Sequence, residues 1–178
     1  MTIYLFGVSN VGKTTTGRLL AKVLDYIFYD LDEEVKQYFS VTLEEFVNTG
    51  TLSERDRKRG EVLDRIVRDK RDKVVAVTPI AYMEYIRKFL LRKNVLAIEL
   101  CDTPEHIFDR LVFSDENDVV YQDDDYKNAH KEYYLKEISE DIRYYGKHSF
   151  KIIKNKFNME GKEPALVVAR LIEEYRLL

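Results

Sequence analysis

The chain has 178 residues, 45% of them hydrophobic, with a single cysteine and a formal net charge of -3. That length suits one domain around one core, expected to span residues 1–178. The slight acidity excludes broad electrostatic binding of nucleic acid, and lone Cys101 excludes an internal disulfide frame. Neither a leader-like apolar stretch nor a run near the ~18 residues of a membrane span occurs, so a reducing, cytoplasmic setting without membrane partners is expected.

Thr2-Ile3-Tyr4-Leu5-Phe6 reads as a short buried strand, and Gly7-Val8-Ser9-Asn10-Val11-Gly12-Lys13-Thr14 follows it directly. This is the pattern G-x-x-x-x-G-K-[ST], in which two glycines let consecutive N–H groups converge on one phosphate. Helical apolar spacing from Lys13 to Leu24 puts the loop between strand and helix, as anion binding requires. The expected ATP-binding residues are therefore Gly7, Ser9, Asn10, Val11, Gly12, Lys13, Thr14 and Thr15. Lys13 is the expected catalytic cation on the terminal phosphates, and the Thr14 hydroxyl an expected Mg2+ ligand.

Further apolar runs at Ile27 to Tyr29, Lys73 to Val77, Val95 to Leu100 and Ser149 to Ile153 read as strands. Helical patterns cover Ser53 to Asp69, Pro104 to Val112 and Pro164 to Leu177. Such alternation predicts an α/β fold, a parallel sheet between helical layers. Thr51-Leu52-Ser53-Glu54 reads as a capping box, and Thr103-Pro104-Glu105 as a capped helix start. Residues 31–60 break the alternation as an insertion containing short helices at Glu33 to Phe39 and Leu43 to Asn48. Residues 113–128, acidic and weakly periodic, read as a mobile flap.

Phe28-Tyr29-Asp30-Leu31-Asp32 ends the second strand with two carboxylates, and period-two geometry predicts that they share a face. Phosphoryl transfer to a hydroxyl uses one carboxylate to hold Mg2+ through water and one to orient or deprotonate the acceptor. In the charged run beyond Gly50, Arg55 and Arg59 stand four apart, an arrangement able to clamp an anion; a solvated face paired with Glu54, Asp56 and Glu61 is the alternative. His106, His130 and His148 lack metal-ligand spacing, and Tyr133, Tyr134, Tyr144 and Tyr145 read as core or lid packing.

With GVSNVGKTTTGRLLAKVL followed by FYDLDEEV, the chain resembles the shikimate kinases, most specifically in its first third. The resemblance implies a three-layer P-loop kinase fold: a five-stranded parallel sheet of order 2-3-1-4-5, with an acceptor-binding insertion and a lid. It implies Mg2+ as cofactor, ATP as co-substrate and transfer to a small hydroxylated acceptor carrying a carboxylate, shikimate being the best single candidate. By position, Asp32 is the base and acceptor ligand, Asp30 supports Mg2+, Arg55 pairs the acceptor's carboxylate, and Arg110 stacks on adenine.

This chain departs from the family where Val77-Thr78-Pro79-Ile80 replaces a glycine run, leaving Thr78 at the acceptor's edge. Lys58 replaces a glutamate and Glu140 an arginine, for which Arg143 is the nearest substitute. Residues 113–126 hold no Arg or Lys where the family closes an arginine over the phosphoryl group, Lys127 being the nearest cation. These departures keep two alternatives open. One is a related kinase acting on a nucleoside monophosphate, sugar acid or other polyol; the other is a nucleotide-binding module with little catalysis.

Overall fold

A computed structural model describes residues 1–178. Strand β1 (Thr2–Phe6) leads through the phosphate loop into α1 (Lys13–Leu24) and β2 (Ile27–Asp30). The insertion folds as α2 (Leu31–Phe39), α3 (Leu43–Val47) and the start of α4 (Leu52–Arg68), which returns to β3 (Lys73–Ala76). A 3-10 turn and α5 (Arg87–Leu90) lead to β4 (Val95–Cys101) and α6 (Pro104–Asp109). The segment expected to form a lid is a hairpin of β5 (Phe113–Ser114) and β6 (Val120–Tyr121) followed by α7 (Asp124–Ala129). Then come α8 (Lys131–His148), β7 (Asn155–Asn158) and α9 (Pro164–Tyr175).

The main sheet has five strands in the order β2-β3-β1-β4-β7, and every pairing in it is parallel. This is the expected order, with β7 as the fifth strand. Central β1 is apolar on both faces because helices cover both: α1 packs with α9 on one side, while Phe6 meets Phe150 at the foot of α8 on the other. A contiguous cluster of 34 buried apolar residues joins these layers. The expected caps are present: Thr51 and Glu54 close a capping box on α4, and the Thr103 hydroxyl accepts from the His106 N–H at the start of α6. No helix is long and apolar enough to cross a membrane.

The fifth strand differs from expectation. Phe150–Ile152 forms a 3-10 turn, and the strand is Asn155–Asn158. Phe150 and Ile153 are buried as plugs beneath the sheet, Phe150 stacking on Tyr145 at 5.5 Å. An edge strand needs only one apolar face, and Phe157 supplies it. The helix expected to reach Val112 ends at Asp109. Tyr134 and Tyr145 pack inward, whereas Tyr133 and Tyr144 are exposed.

Candidate active site

The carboxyl ends of β1, β2, β3 and β4 open onto one cleft, where parallel sheets of this kind place their ligands. Its floor is the loop after β1, which curls through positive φ at Gly7 (141°), Asn10 (60°) and Gly12 (109°). A β-carbon on Gly7 would lie 2.7 Å from the Leu100 carbonyl oxygen, so that position admits only glycine. Lys13 Nζ turns back into the loop and donates to the carbonyls of Gly7 (2.9 Å) and Val8 (2.8 Å). Burial pushes its pKa down to about 8, against the opposing pull of Asp32 and Asp30. This ammonium therefore stands in a place that favours the arrival of negative charge.

The two carboxylates meet by a route other than strand alternation. Asp30 ends β2 and caps α2, its Oδ1 accepting from the Asp32 N–H at 3.1 Å. Asp32 lies in the first turn of that helix, so the abrupt strand-to-helix change, not period two, brings it back toward the loop. The Thr14 hydroxyl donates to Asp30 Oδ2 at 2.6 Å. Asp32 Oδ2 accepts from the Thr78 hydroxyl at 2.8 Å, and Asp32 Oδ1 is buried without a partner. Burial raises the Asp32 pKa, while Thr78, Arg59 and Lys13 hold it back and Asp30 adds to the rise.

Thr14 and Asp30 offer only hard oxygen ligands, the donor type Mg2+ selects, and no group of three or more His, Cys, Asp or Glu side chains is placed to hold a metal alone. Such a pair fits an ion that arrives with phosphates and keeps much of its own water.

The arginine clamp is not formed. Arg55 Nη1 donates to the Gly50 carbonyl at 2.8 Å, whereas Arg59 is buried, pairs with fully buried Asp56 at 2.8 Å and lies over the Phe46 ring. Asp56 Oδ2 in turn accepts the N–H groups of Ala81 and Tyr82, both at 3.0 Å. Asp56 and Arg59 thus fasten the segment that replaces the glycine run. Arg59 keeps one buried donor, Nε, unpaired. Arg143 is exposed near Glu140 and does not replace the missing arginine.

A cavity of about 820 Å3 continues from the loop past Gly12, Lys13, Thr14 and Thr15 to Arg110, His106 and Lys162. Arg110 caps α6 and is held by the fully buried Asp102 (2.7 Å) and the Val11 carbonyl (3.3 Å). The same carboxylate accepts from the Gly161 N–H and pairs with His106 Nδ1 at 2.7 Å. Asp102 is the hub that sequence reasoning missed: it precedes the N-cap of α6 and lies outside any periodic pattern, so nothing local marks it as the partner of His106 and Arg110.

The flap is built structure. In its hairpin turn Asp115 Oδ1 accepts the N–H groups of Asn117 and Val119. Asp118, at φ 60°, reaches across the cleft and accepts from the Leu43 N–H at 2.9 Å, with Lys36 Nζ at 3.4 Å. The acidic hairpin tip is therefore latched to the insertion between β2 and β3. Lys127 donates to the Asp109 carbonyl at 3.0 Å and lies over Phe108, so it is engaged at the base of the lid.

Sheet order and phosphate loop together define a P-loop fold of the nucleoside monophosphate kinase type. The family described as shikimate kinase matches residues 9–175, and the chain belongs to that family. Among relatives, it is 35% identical over 100 residues to shikimate kinase of Bacillus subtilis, which is 55% of this chain and 53% of that one. It is 39% identical over 46 residues to shikimate kinase 2 of Photorhabdus laumondii, 26% of each chain. The matched stretches thus span about half or less of these relatives' lengths. The crystal structure of shikimate kinase from Bacteroides thetaiotaomicron shares the fold, with a TM-score of 0.76 at 20% identity over 99% of this chain and 98% of that one.

Proposed function

We propose that this protein is an ATP-dependent kinase that transfers the γ-phosphoryl group to a hydroxyl of a small acceptor, with shikimate as the first candidate. One observation carries the reading: a carboxylate with a raised pKa and one unengaged oxygen, Asp32, faces a buried lysine on a phosphate-binding loop. Magnesium bound with ATP would neutralise phosphate charge, and Thr14 and Asp30 would hold it. Gly7 to Thr15 would cradle the phosphates through backbone N–H groups, and Lys13 would exchange its two carbonyl partners for the terminal phosphates. Arg110, fixed by Asp102, would lie against the base.

Asp32 would take the acceptor's proton on its unengaged Oδ1 while Thr78 fixes the other oxygen, and the hydroxyl oxygen would displace ADP in line. Thr78 then acts through Asp32 in addition to bordering the acceptor. Lys13 would balance charge gathering on the transferring group.

A second reading, a kinase for an acceptor other than shikimate, draws on the acceptor side. Arg59 is buried against Asp56, and no arginine arrives from α8, which leaves Arg55 alone to exchange its Gly50 carbonyl for an acceptor's carboxylate. Measuring acceptor-dependent ADP release with shikimate beside a panel of nucleoside monophosphates, sugar acids and polyols separates the two. Release with shikimate at the highest kcat/KM supports the first reading, and a stronger response to another acceptor replaces it. MgATP binding with no release on any acceptor overturns the kinase assignment in favour of a binding module.

A further inference from the structure

At the opposite rim, where the amino ends of β1, β3 and β4 lie together, the α4–β3 and α5–β4 connections enclose a second cleft of about 340 Å3. Tyr4 and Lys73 form its floor. Both point to the same face of the sheet, because Thr2 pairs with Lys73 and Tyr4 with Val75 in the parallel ladder. Tyr4 is 1% exposed and Lys73 2%. The Tyr4 hydroxyl has no hydrogen-bond partner, and the Lys73 ammonium, with three protons to donate, has one recorded acceptor, the Asp69 carbonyl. Buried donors left in this condition are costly, and natural folds seldom keep them without a partner.

The walls add cations from both connections: Lys70 and Arg71 on one side, Arg92 and Lys93 on the other. Neighbouring acids are already committed. The Asp69 carboxylate accepts from Arg71 Nη2 (2.6 Å) and the Tyr29 hydroxyl (2.7 Å), and Asp64 pairs with Arg68 (2.8 Å) and Lys88 (3.7 Å). Lys70, Lys73, Arg92 and Lys93 thus concentrate positive charge on a protein whose net charge is -3. Burial, opposed by the Asp69 carboxylate and reinforced by Arg71 and Lys70, holds the Lys73 pKa below the ordinary lysine value, and burial lifts Tyr4 to about 12 against the pull of Arg92.

From the orphaned Tyr4 hydroxyl, the under-used Lys73 ammonium and the surrounding cations, we infer that this rim is a binding site for a phosphate group, carried by a small phosphorylated metabolite or as free phosphate. A phosphate dianion offers several acceptor oxygens at once, enough for the floor donors and for Arg92 at the mouth. The site lies at the other end of the strands from the phosphate loop and does not rest on the kinase reading.

The test is a titration followed by amide NMR, with the nucleotide site first saturated by Mg2+ and a non-hydrolysable ATP analogue. Inorganic phosphate, and separately glycerol 3-phosphate, are compared with sodium chloride at equal ionic strength. Saturable shifts of the Lys73, Asn94 and Val95 amides are expected, with affinity reduced about tenfold in Arg92→Ala and in Lys73→Met. Tyr4→Phe should weaken binding less. Tighter binding of the ester identifies a phosphorylated metabolite as occupant, and equal binding identifies free phosphate. Shifts no larger than those with chloride, or unchanged affinity in Arg92→Ala, overturn the proposal; Arg92 is exposed, so that variant serves even if Lys73→Met does not fold.

Discussion

On the nucleotide side of the cleft, backbone does most of the positioning: the loop's positive-φ glycines, the N-terminus of α1 and the carbonyls that hold Lys13. On the acceptor side, side chains do it. Thr78 holds Asp32, Asp56 and Arg59 hold the segment after β3, and Asp118 holds the lid to Lys36 and Leu43. Backbone geometry survives most substitutions, whereas a side-chain anchor can be exchanged one residue at a time. The acceptor side is accordingly where single substitutions should separate binding from turnover.

The largest effect is expected from Lys13→Met. Turnover should fall about 10²- to 10³-fold or more, the scale for losing one charge-stabilising donor. Thermal stability should not fall with it, because the folded protein holds this ammonium at about 8 against an ordinary 10.5 and burial works against its charge. Between those two values the unfolded chain binds more of this proton, so the native protein should gain stability as pH rises from about 8 toward 10.5. Melting curves across that window should show the gain in the unmodified protein and lose it in Lys13→Met. A variant that unfolds readily at neutral pH would make the lysine a structural support of the loop.

Asp32→Asn probes the other side. Turnover should drop about 10²- to 10⁴-fold with acceptor present. Calorimetric MgATP affinity should stay within about twofold, since only ground-state nucleotide contacts enter it. Equal losses in both would move Asp32 to the metal and nucleotide half of the cleft and erase the division of labour.

Asp118→Gly removes the lid latch while preserving the left-handed turn at φ 60° that glycine adopts freely. The half-buried ion pair and the bond from the Leu43 N–H contribute about 1–2 kcal/mol together, so lid closure should weaken roughly five- to thirtyfold. The acceptor KM should rise by a similar factor, and hairpin amides at 113–121 should exchange faster with deuterium. Unchanged exchange would mean that the hairpin's own turn, built on Asp115, keeps it in place.

These contrasts also explain which parts were legible from residues alone. The phosphate loop is a local device whose eight residues contain all that its geometry needs, and the parallel alternation follows from apolar runs. A two-residue period pairs Asp30 with Asp32 for an incorrect reason, because a helix beginning at Leu31 leaves no trace in it. Asp118 and Lys36 are 82 positions apart, and nothing local announces that they touch. The burial of Asp56 and Arg59 was hidden in a run of charges that looks like any solvated helix face. Apolarity points to Ser149 to Ile153 as the edge strand, yet Phe150 and Ile153 serve as plugs and the more polar Asn155–Asn158 pairs with β4.

The smallest effect, and the finest division between the two sides, is expected from Thr78→Val. Thr78 donates to Asp32 Oδ2 and lowers a carboxyl pKa that burial otherwise raises. Valine keeps the shape and removes the donor, so the Asp32 pKa should climb further. Because only the carboxylate can accept the acceptor's proton, turnover falls as pH drops through that pKa. The acidic limb of kcat/KM should therefore move to higher pH in Thr78→Val, while the rate well above the limb stays close to that of the unmodified protein. MgATP affinity should show no matching displacement, since the Thr78 hydroxyl serves Asp32. A limb that stays in place would remove Asp32 as the titrating base and assign Thr78 to the acceptor's edge alone.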